Sequence, residues 1–415
     1  MNADVLIIGS GQAGGEVAAE LRRLGFAGRI VMAGDEAHPP YHRPPLSKDV
    51  LSPDGMPNPP LIRSPEFYSD KLIDAWFGDA AVDVDLTSRT ATLVSGRRID
   101  FGKVVFATGA RCRNLDVEGA HAAGVHTLRT FDDARRLRSD MIEHDDIVIV
   151  GGGFIGLEVA AAAQRLGKRT TVVEVGDSLL RRVATREVRE LAHARLVESG
   201  AVVHLHEPVR RIFVSDDRVS GVELASTRIP ADVVVVGIGI TPNDELASAA
   251  GIECESGILV DATGATGNPN VFAAGDCTRV LPDEAGPPSP RGTVEHTEHL
   301  AKSVAARIIG DTPMPRRVPW AWSDQGDFLY QRAGYLQPSD QIVLRAQPNE
   351  KSLAKFHFRD GELAGIEAVN CPADARAVRA MLARGLYLSP TDAADPLRSL
   401  SPSTRSPRRT QWQIR

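Results

Sequence analysis

The sequence predicts an α/β protein with two copies of a strand–turn–helix unit and a smaller α+β domain towards the C-terminus. In residues 5–14, and again in residues 147–156, a four-residue apolar run leads into the pattern G-x-G-x-x-G. An apolar run this short fits a buried strand, and a helical segment follows each turn. The third observation is β-like alternation within residues 319–370, which predicts a further sheet.

Each glycine pattern predicts a Rossmann-like dinucleotide site. The first glycine allows the turn, the second lets the backbone approach a pyrophosphate, and the third lets helix and strand pack closely. The free N–H groups at the start of the helix then face the phosphates. These positions are Gly9, Gly11 and Gly14 in the first copy and Gly151, Gly153 and Gly156 in the second. Two copies predict two bound dinucleotides.

An acidic residue follows the second strand of each copy. In the first copy, residues 29–33 lead into Asp35, about 20 residues after the glycines, where a carboxylate can accept from a ribose hydroxyl. In the second copy the strand ends at Glu174. A carboxylate there repels a 2′-phosphate, which favours NADH over NADPH. Arg181 and Arg182 follow, and an arginine there can bind such a phosphate, but we expect NADH.

Composition excludes several classes of function. The chain has 415 residues, 42% hydrophobic and 25% charged, as in an ordinary globular protein of two or three domains. A net charge of −6 gives no electrostatic case for nucleic acid. No apolar run approaches the ~20 residues of a membrane span. The chain enters its first strand without a basic signal region, so we expect a cytoplasmic protein.

The four cysteines predict neither a metal site nor a redox dithiol. They are Cys112, Cys254, Cys277 and Cys371, and none stands in a C-x-x-C pair or in zinc-ligand spacing. Disulfide reduction is therefore disfavoured.

A proline-rich loop follows the first copy. Residues 38–48 contain four prolines, which fix φ and prevent a regular helix, and they carry Arg43 and Lys48. We expect a rigid loop that presents two cations, followed by a short helix from Leu46 with Ser47 as its cap.

The rest of the chain has readable elements in order. We expect a hairpin at 83–86 and 91–94, a buried strand at 103–107 ending in A-T-G, helices at 132–143, 186–198 and 295–309, antiparallel strands within 209–229, a return strand from 232, and a strand from 270 that ends at Gly275-Asp276. In the last domain we expect strands at 341–345, 354–358 and 364–370 and a helix at 374–385.

The C-terminal end differs in composition. After Asp395 the chain has no acid and five arginines, interleaved with prolines and serines. We expect residues 396–415 to be a basic, mobile tail. A basic tail can also attract an acidic partner.

These motifs together resemble the FAD-dependent NAD(P)H–ferredoxin reductases of bacterial oxygenase systems, the family of putidaredoxin reductase, rubredoxin reductase and the Rieske dioxygenase reductase components. The most specific matches are R-P-P-L-S-K at 43–48 and W-S-D-Q at 322–325. The other matches lie at 5–14, 107–109, 151–158, 237–243 and 274–276, in family order across nearly the whole chain.

The resemblance implies a glutathione-reductase-like arrangement. An FAD domain would comprise residues 1–110 and 240–318, with an NAD domain at 111–239 inserted, and an α+β interface domain at 319–395. The FAD contacts implied are Gly9, Gly11, Gly14, Ala13, Asp35, Arg43, Lys48, Ala81, Ala107, Arg129, Asp276 and Val294, with Trp322 near both cofactors. The NAD contacts implied are Ile155, Glu158, Glu174, Arg182, Gly239 and Glu295.

The implied reaction passes a hydride from NADH to FAD and then single electrons to an acidic [2Fe–2S] ferredoxin in a transient complex. Such a ferredoxin would serve a P450 or a Rieske oxygenase. Lys48 and Glu158 would form a catalytic pair that stabilises charge on the reduced flavin and orders the nicotinamide.

Two departures and two alternatives accompany this interpretation. Val294-Glu295-His296-Thr297 stands where many relatives have Arg-x-Glu-x-Trp, so the floor under the flavin can differ, and the basic tail is not a general family feature. The alternatives are a flavoprotein reductase with a small-molecule acceptor and a non-catalytic module like apoptosis-inducing factor. The net charge of −6 argues against the second, because that group acts partly through a basic surface.

Overall fold

A computed structural model describes residues 1–282, 292–312, 314–315, 317–346 and 349–401. Its contacts divide the chain into two compact units. The first unit comprises Met1–Arg43, Pro57–Arg111 and Ile240–Arg316. The second comprises Pro44–Met56, Cys112–Gly239 and the chain from Arg317 onward.

The strands are β1 (Asn2–Ile8), β2 (Ile30–Gly34), β3 (Ile73–Phe77), β4 (Ala81–Asp85), β5 (Thr90–Leu93), β6 (Arg98–Phe106), β7 (Ala110–Cys112), β8 (Val125–His126), β9 (Asp146–Val150), β10 (Arg169–Val173), β11 (Val202–His204), β12 (Val209–Ser215), β13 (Arg218–Leu224), β14 (Arg228–Ile229), β15 (Val233–Val236), β16 (Ile240–Pro242), β17 (Ile258–Val260), β18 (Val271–Ala273), β19 (Thr278–Val280), β20 (Trp320–Asp324), β21 (Leu329–Gly334), β22 (Gln341–Arg345), β23 (Leu353–Arg359) and β24 (Glu362–Val369).

The helices are α1 (Gln12–Arg23), α2 (Pro65–Asp70), α3 (Phe131–Glu143), α4 (Phe154–Arg165), α5 (Arg186–Glu198), α6 (Glu245–Ala249), α7 (Val294–Ile309), α8 (Pro372–Arg384) and α9 (Pro390–Ala394), with a short 3-10 helix at Pro44–Ser47. Among the described residues, no helix is both long and apolar enough to cross a bilayer.

The first unit is built on one sheet in the order β3-β2-β1-β6-β5-β4, with β18 also paired to β6. Strand β1 runs parallel to both β2 and β6. Alternate side chains of β1 point to opposite faces of the sheet, as in any β-strand. Val5 and Ile7 pack with apolar residues of α1 and α7, whereas Leu6 and Ile8 pack with the hairpin β4–β5 and its neighbours. This parallel core fixes where the first glycine turn emerges.

The second unit contains a parallel sheet in the order β11-β10-β9-β15-β8 and an antiparallel sheet β12-β13-β14. Val148, Val173 and Val234 pack with Ile212 and Val222 in one apolar core. A separate antiparallel sheet, β20-β21-β24-β23-β22, has its own core against α8, which contains Phe356, Ile366 and Met381. The α/β class with a C-terminal α+β part is therefore confirmed.

Most predicted elements occur within one or two residues of their expected bounds. The helix expected from Leu46 is wrong, because the two prolines favour a 3-10 turn that ends at Ser47. Strand β3 and helix α2 were not predicted, since their few residues lie within or beside a stretch rich in turn formers.

The predicted domain boundaries stay predictions, but three features bear on them. Residues 44–56 lie with the second unit rather than the first. Residues 112–239 and the chain from 317 also fall in one unit. Residues 396–401 pack: Arg345 donates to the carbonyl of Arg398, and Leu400 is buried in the C-terminal core. The rest of the predicted tail, 402–415, lies outside the described residues.

Candidate active site

The first glycine turn leaves open space over the start of α1. Gly9 has a φ of +115°, and a Cβ there would lie 2.1 Å from the carbonyl oxygen of Ala107. A Cβ on Gly14 would lie 2.0 Å from the oxygen of Gly9. At Gly11, by contrast, the only described atom within 4 Å is the Arg43 guanidinium at 3.7 Å. Two positions are thus closed to any side chain, and the third is open towards a ligand.

Unused donors lie at the same turn. No described side chain caps α1, whose first N–H groups follow Gly11. The side-chain nitrogen of Gln12 is buried and has no hydrogen-bond partner among the described residues. A buried donor without an acceptor is unfavourable unless a ligand supplies one. This edge therefore fits the phosphates of a dinucleotide.

Charged groups surround that turn. The Glu36 carboxylate accepts from the Arg43 guanidinium at 2.5 Å and from the Tyr41 hydroxyl. Burial alone would lower the pKa of Arg43, but Tyr41, Glu36 and Asp276 act against it and the pKa is raised. Asp35 is exposed and accepts from the Glu36 N–H at 3.0 Å. The Arg43 cation and two carboxylates, Asp276 and Glu36, therefore lie together in the first unit.

The A-G-D and A-T-G motifs both reach this edge. A Cβ on Gly275 would lie 2.8 Å from the Cβ of Ala13, so the strand end before Asp276 closely approaches the first turn of α1. The side-chain amide of Asn243 donates to the Thr108 carbonyl at 2.9 Å.

The second glycine turn repeats the first. Gly151 has a φ of +111°, and a Cβ there would lie 2.5 Å from the oxygen of Gly237. A Cβ on Gly156 would lie 2.2 Å from the oxygen of Gly151, whereas a Cβ on Gly153 would meet no described atom within 4 Å. No described side chain caps α4. This turn also fits a dinucleotide.

Glu174 is fixed at the end of β10. One carboxylate oxygen accepts from the Gly152 N–H at 2.7 Å, and the other accepts from the Gly176 N–H at 2.7 Å. Each oxygen keeps a further lone pair for a donor such as a ribose hydroxyl. The Arg181 guanidinium lies close by, 3.3 Å from where a Cβ of Gly176 would be. A carboxylate and a cation thus share this strand end.

A buried cluster surrounds Glu158 on α4, whose side chain is 4% exposed. One carboxylate oxygen accepts from the Ser47 hydroxyl at 2.5 Å and from the Lys48 ammonium at 2.6 Å. The other accepts from the Ser323 hydroxyl at 2.7 Å, and the Gln325 amide donates to Ser323 at 3.0 Å. The two most specific motifs of the sequence meet at this carboxylate.

The proline pair explains how the first motif reaches Glu158. Proline fixes φ near the value that a 3-10 turn needs. The turn closes with hydrogen bonds from the N–H groups of Lys48 and Val50 to the Pro45 carbonyl. Buried Leu46 anchors it. Ser47 and Lys48 therefore project as neighbours from a stiff turn.

The second motif reaches Glu158 through strand alternation. On β20, Ser323 is fully buried, whereas its neighbours Trp322 and Asp324 are exposed. Trp322 is 36% exposed, which leaves an aromatic face accessible beside the cluster's serine. Because side chains alternate along a strand, the Ser323 side chain points towards Glu158 and the Trp322 side chain towards the surface.

The structure groups the other predicted residues by unit. The first unit contains Ala13, Asp35, Arg43, Ala81, Ala107, Asp276, Val294 and Glu295; the second unit contains Lys48, Arg129, Ile155, Glu158, Glu174, Arg182, Gly239 and Trp322. Ser47, Ser323 and Gln325 were missed as site residues, although they stand inside the two specific motifs. Their roles depend on a partner more than 100 positions away, which spacing does not indicate.

The cysteines give no dithiol. All four are free, and burial raises the pKa of the Cys254, Cys277 and Cys371 thiols to about 11. Burial also raises the pKa of Cys112. Neutral, separated thiols are poor nucleophiles, so disulfide chemistry is not supported.

The fold and these two turns define a class of nucleotide-dependent oxidoreductase. Residues 3–299 match the family described as pyridine nucleotide-disulphide oxidoreductase, and residues 320–403 match the reductase C-terminal domain. The chain belongs to this family, within its group of ferredoxin reductases.

Particular relatives cover almost the whole chain. Rhodocoxin reductase from Rhodococcus erythropolis is 38% identical over 94% of this chain and 92% of its own length. The crystal structure of the ferredoxin reductase for the CYP199A2 system from Rhodopseudomonas palustris is 40% identical, covers 95% of this chain and 98% of its own, and has a TM-score of 0.90. The covalent putidaredoxin reductase–putidaredoxin complex is 31% identical, covers 96% and 97%, and has a TM-score of 0.91.

Proposed function

We propose that this chain binds FAD at the first glycine turn and NADH at the second, and reduces a [2Fe–2S] ferredoxin that serves an oxygenase. When bound, FAD accepts a hydride from C4 of NADH and releases the electrons one at a time. The observation that carries the proposal is the ion pair between Lys48 and the buried Glu158 carboxylate, in a chain with two open glycine turns.

The first unit supplies a cradle for FAD. Arg43 brings a positive charge to within 3.7 Å of where a Cβ of Gly11 would be, which suits a pyrophosphate. Gln12 supplies a buried donor at the same helix end. Asp276 supplies a carboxylate at the end of the closing strand, where it can accept from a ribityl hydroxyl.

The second unit supplies the selectivity for NADH. Backbone N–H groups hold the Glu174 carboxylate at the strand end, where it accepts from the 2′-hydroxyl of the adenosine ribose. A 2′-phosphate there would meet the same carboxylate, and Arg181 would offset only part of the repulsion. NADH is therefore the expected donor.

Lys48 and Glu158 act on charge rather than by transferring the hydride. The ammonium lies 2.6 Å from the carboxylate in a pocket where Glu158 is 4% exposed. A fixed charge pair away from water orders a bound nicotinamide and stabilises the negative charge that reduction adds.

The ferredoxin acceptor rests on the relatives, whose names describe ferredoxin reductases of P450 and dioxygenase systems. The test is reduction of cytochrome c by NADH with a panel of [2Fe–2S] ferredoxins. We expect at least one acidic ferredoxin to raise the rate roughly tenfold or more over the protein alone. Equal rates with every ferredoxin, together with fast turnover of a quinone or monodehydroascorbate, would reject the ferredoxin and favour a small-molecule acceptor.

A further inference from the structure

The Glu158 carboxylate is held by three donors from two distant segments of the second unit. Ser47 and Lys48 bind one oxygen, and Ser323 binds the other. We propose that Ser47 and Ser323 are positioning residues for hydride transfer, which fix the plane of the Glu158 carboxylate. This inference rests on the proposed function and extends it to two residues outside the predicted pair.

Within the part of the chain that the structure describes, one acceptor position of the Glu158 carboxylate stays open. A carboxylate offers about four lone-pair directions. Three are occupied, two on the oxygen near Lys48 and one on the oxygen near Ser323. With both oxygens bound, the carboxylate cannot rotate about its last bond without losing a hydrogen bond. The remaining lone pair therefore points in one fixed direction.

Gln325 sets the direction of the Ser323 proton. Its amide nitrogen donates to the Ser323 oxygen at 3.0 Å. An amide nitrogen only donates, so the serine accepts there and its own proton points to Glu158 at 2.7 Å. Ser323 is 0% exposed, so water does not compete for that proton.

The equivalent glutamate in the first unit shows that a buried carboxylate at this helix position does not need two serine donors. Glu16 lies two residues after Gly14, as Glu158 lies two residues after Gly156, and it is 8% exposed. Among the described residues, its carboxylate forms an ion pair with one cation, Arg63, at 2.9 Å. A single cation therefore suffices to bury a carboxylate at this helix position. The serines at Glu158 add orientation to charge neutralisation.

The experiment is anaerobic stopped-flow reduction of the FAD-loaded protein by NADH, for Ser323→Ala, Ser47→Ala and Ser323→Thr. Loss of one oriented hydrogen bond to a charged group predicts a limiting rate about tenfold lower in each alanine variant. We expect the Kd for NADH to change less than about twofold, because the effect is on orientation. Threonine keeps the hydroxyl and restores the rate to within about threefold of wild type.

Two controls separate positioning from simple packing. Ser303→Ala removes another fully buried serine hydroxyl, which donates to the His299 carbonyl in α7, and it leaves the limiting rate unchanged. In a Glu158→Gln background, Ser323→Ala lowers the rate by less than about twofold, because the serine acts through that carboxylate. Calorimetric NAD⁺ binding and the unfolding midpoint are measured for each variant as readouts independent of turnover.

The outcomes are distinct. A wild-type protein whose flavin NADH does not reduce overturns the proposed function and this inference together. A reducible wild type with alanine variants within twofold of its limiting rate overturns the inference alone. A full tenfold loss for Ser323→Ala in the Glu158→Gln background also overturns it. If Ser323→Ala fails to fold, Gln325→Met tests the same proton direction, and a limiting rate equal to wild type rejects it.

Discussion

The two glycine turns of this chain share one backbone and differ in the side chains around it. The first glycine of each has nearly the same φ, +115° at Gly9 and +111° at Gly151. The N–H of each of these glycines donates to a backbone carbonyl of the neighbouring strand, Gly9 to Ala33 of β2 at 2.7 Å and Gly151 to Val173 of β10 at 2.8 Å. The backbone of the two turns is therefore the same, and any difference in binding must come from the side chains around them.

The two turns differ in the residues at two equivalent positions. Glu174 directly follows Val173, and its counterpart after Ala33 is Gly34, where a Cβ would lie 2.1 Å from the Ser10 hydroxyl oxygen. The first copy therefore carries its acid one residue later, at exposed Asp35. The buried glutamate of each helix is also treated differently, since Glu158 gathers three donors and Glu16 pairs with Arg63. This difference agrees with the proposal that the first turn binds FAD and the second binds NADH.

The largest expected effect comes from closing each turn with a methyl group. In Gly9→Ala the Cβ would clash with a backbone oxygen at 2.1 Å and force a φ that alanine rarely adopts. We expect purified Gly9→Ala to lack FAD. Gly151→Ala should stay yellow but bind NADH at least ~100-fold more weakly. Cofactor absorbance and an NADH titration check both, and a yellow Gly9→Ala with normal NADH binding would contradict the assignment of the turns.

Neutralising the equivalent glutamates of the two helices should have different effects, on the rate of flavin reduction at Glu158 and on stability at Glu16. Glu158→Gln should lower the limiting rate of flavin reduction by roughly 10- to 100-fold, because a fixed charge in a buried site is lost. Glu16→Gln should leave that rate within twofold and cost about 2 kcal/mol of stability, because Arg63 loses its partner. Stopped-flow traces and urea unfolding measure the two effects, and a slow Glu16→Gln protein would remove the distinction.

Replacing the acid of the second turn should alter the choice of cofactor. Glu174→Ser removes the carboxylate that repels a 2′-phosphate and leaves Arg181 beside the site. We expect the ratio of kcat/KM for NADPH to that for NADH to rise about tenfold or more, measured with ferricyanide as acceptor. An unchanged ratio, or a wild type that prefers NADPH, would reject the role of Glu174.

The smallest effect concerns pH, and it belongs to the second unit. Desolvation lowers the pKa of His357, which is 1% exposed, and Lys355 and Arg332 lower it further against Glu367 and Asp340, which raise it. When folding lowers the pKa of a histidine, the unfolded state takes up the proton at a higher pH than the folded state does. Its contribution to stability is therefore present above the unfolded pKa of about 6.5 and is lost as pH falls below it.

We expect the thermal unfolding midpoint of the wild type to decrease as the pH is lowered from 7.5 to 5.5. The midpoint of His357→Asn should decrease by less over the same range. Differential scanning calorimetry provides the measurement, with His38→Asn in the first unit, a histidine that is less buried than His357, as the comparison for an ordinary histidine substitution. Parallel pH curves for wild type and His357→Asn would show that the buried histidine does not govern this acid sensitivity.

The sequence was sufficient for most of the elements and for both glycine turns because local rules decide them. An apolar run, three glycines and a helix define each unit without reference to the rest of the chain. Glu174 and Glu158 could be singled out for the same reason, since each is a fixed number of residues from a glycine. The 3-10 turn at Pro44–Ser47 was misread because the helix propensity of Leu46 and Lys48 competes with two prolines that fix φ.

The partners of these residues could not be read from the sequence. Ser323 reaches Glu158 across 165 positions, and Ser47 across 111. Such contacts depend on how strands and turns pack, and serine has no pattern that distinguishes a buried donor from a surface hydroxyl. The sequence likewise shows Gly34 only as a turn residue, whereas in the structure a Cβ on Gly34 would clash with the Ser10 hydroxyl oxygen.

The central claim is that one chain holds two different nucleotides, one at each turn, and that electrons pass between them. The direct test is an anaerobic titration of FAD-loaded protein with NADH, followed by flavin absorbance. We predict full bleaching at about one NADH per flavin in the wild type and no bleaching at the same concentrations in Gly151→Ala, which stays yellow. A protein that binds no flavin, or a Gly151→Ala variant that bleaches like the wild type, would contradict the claim.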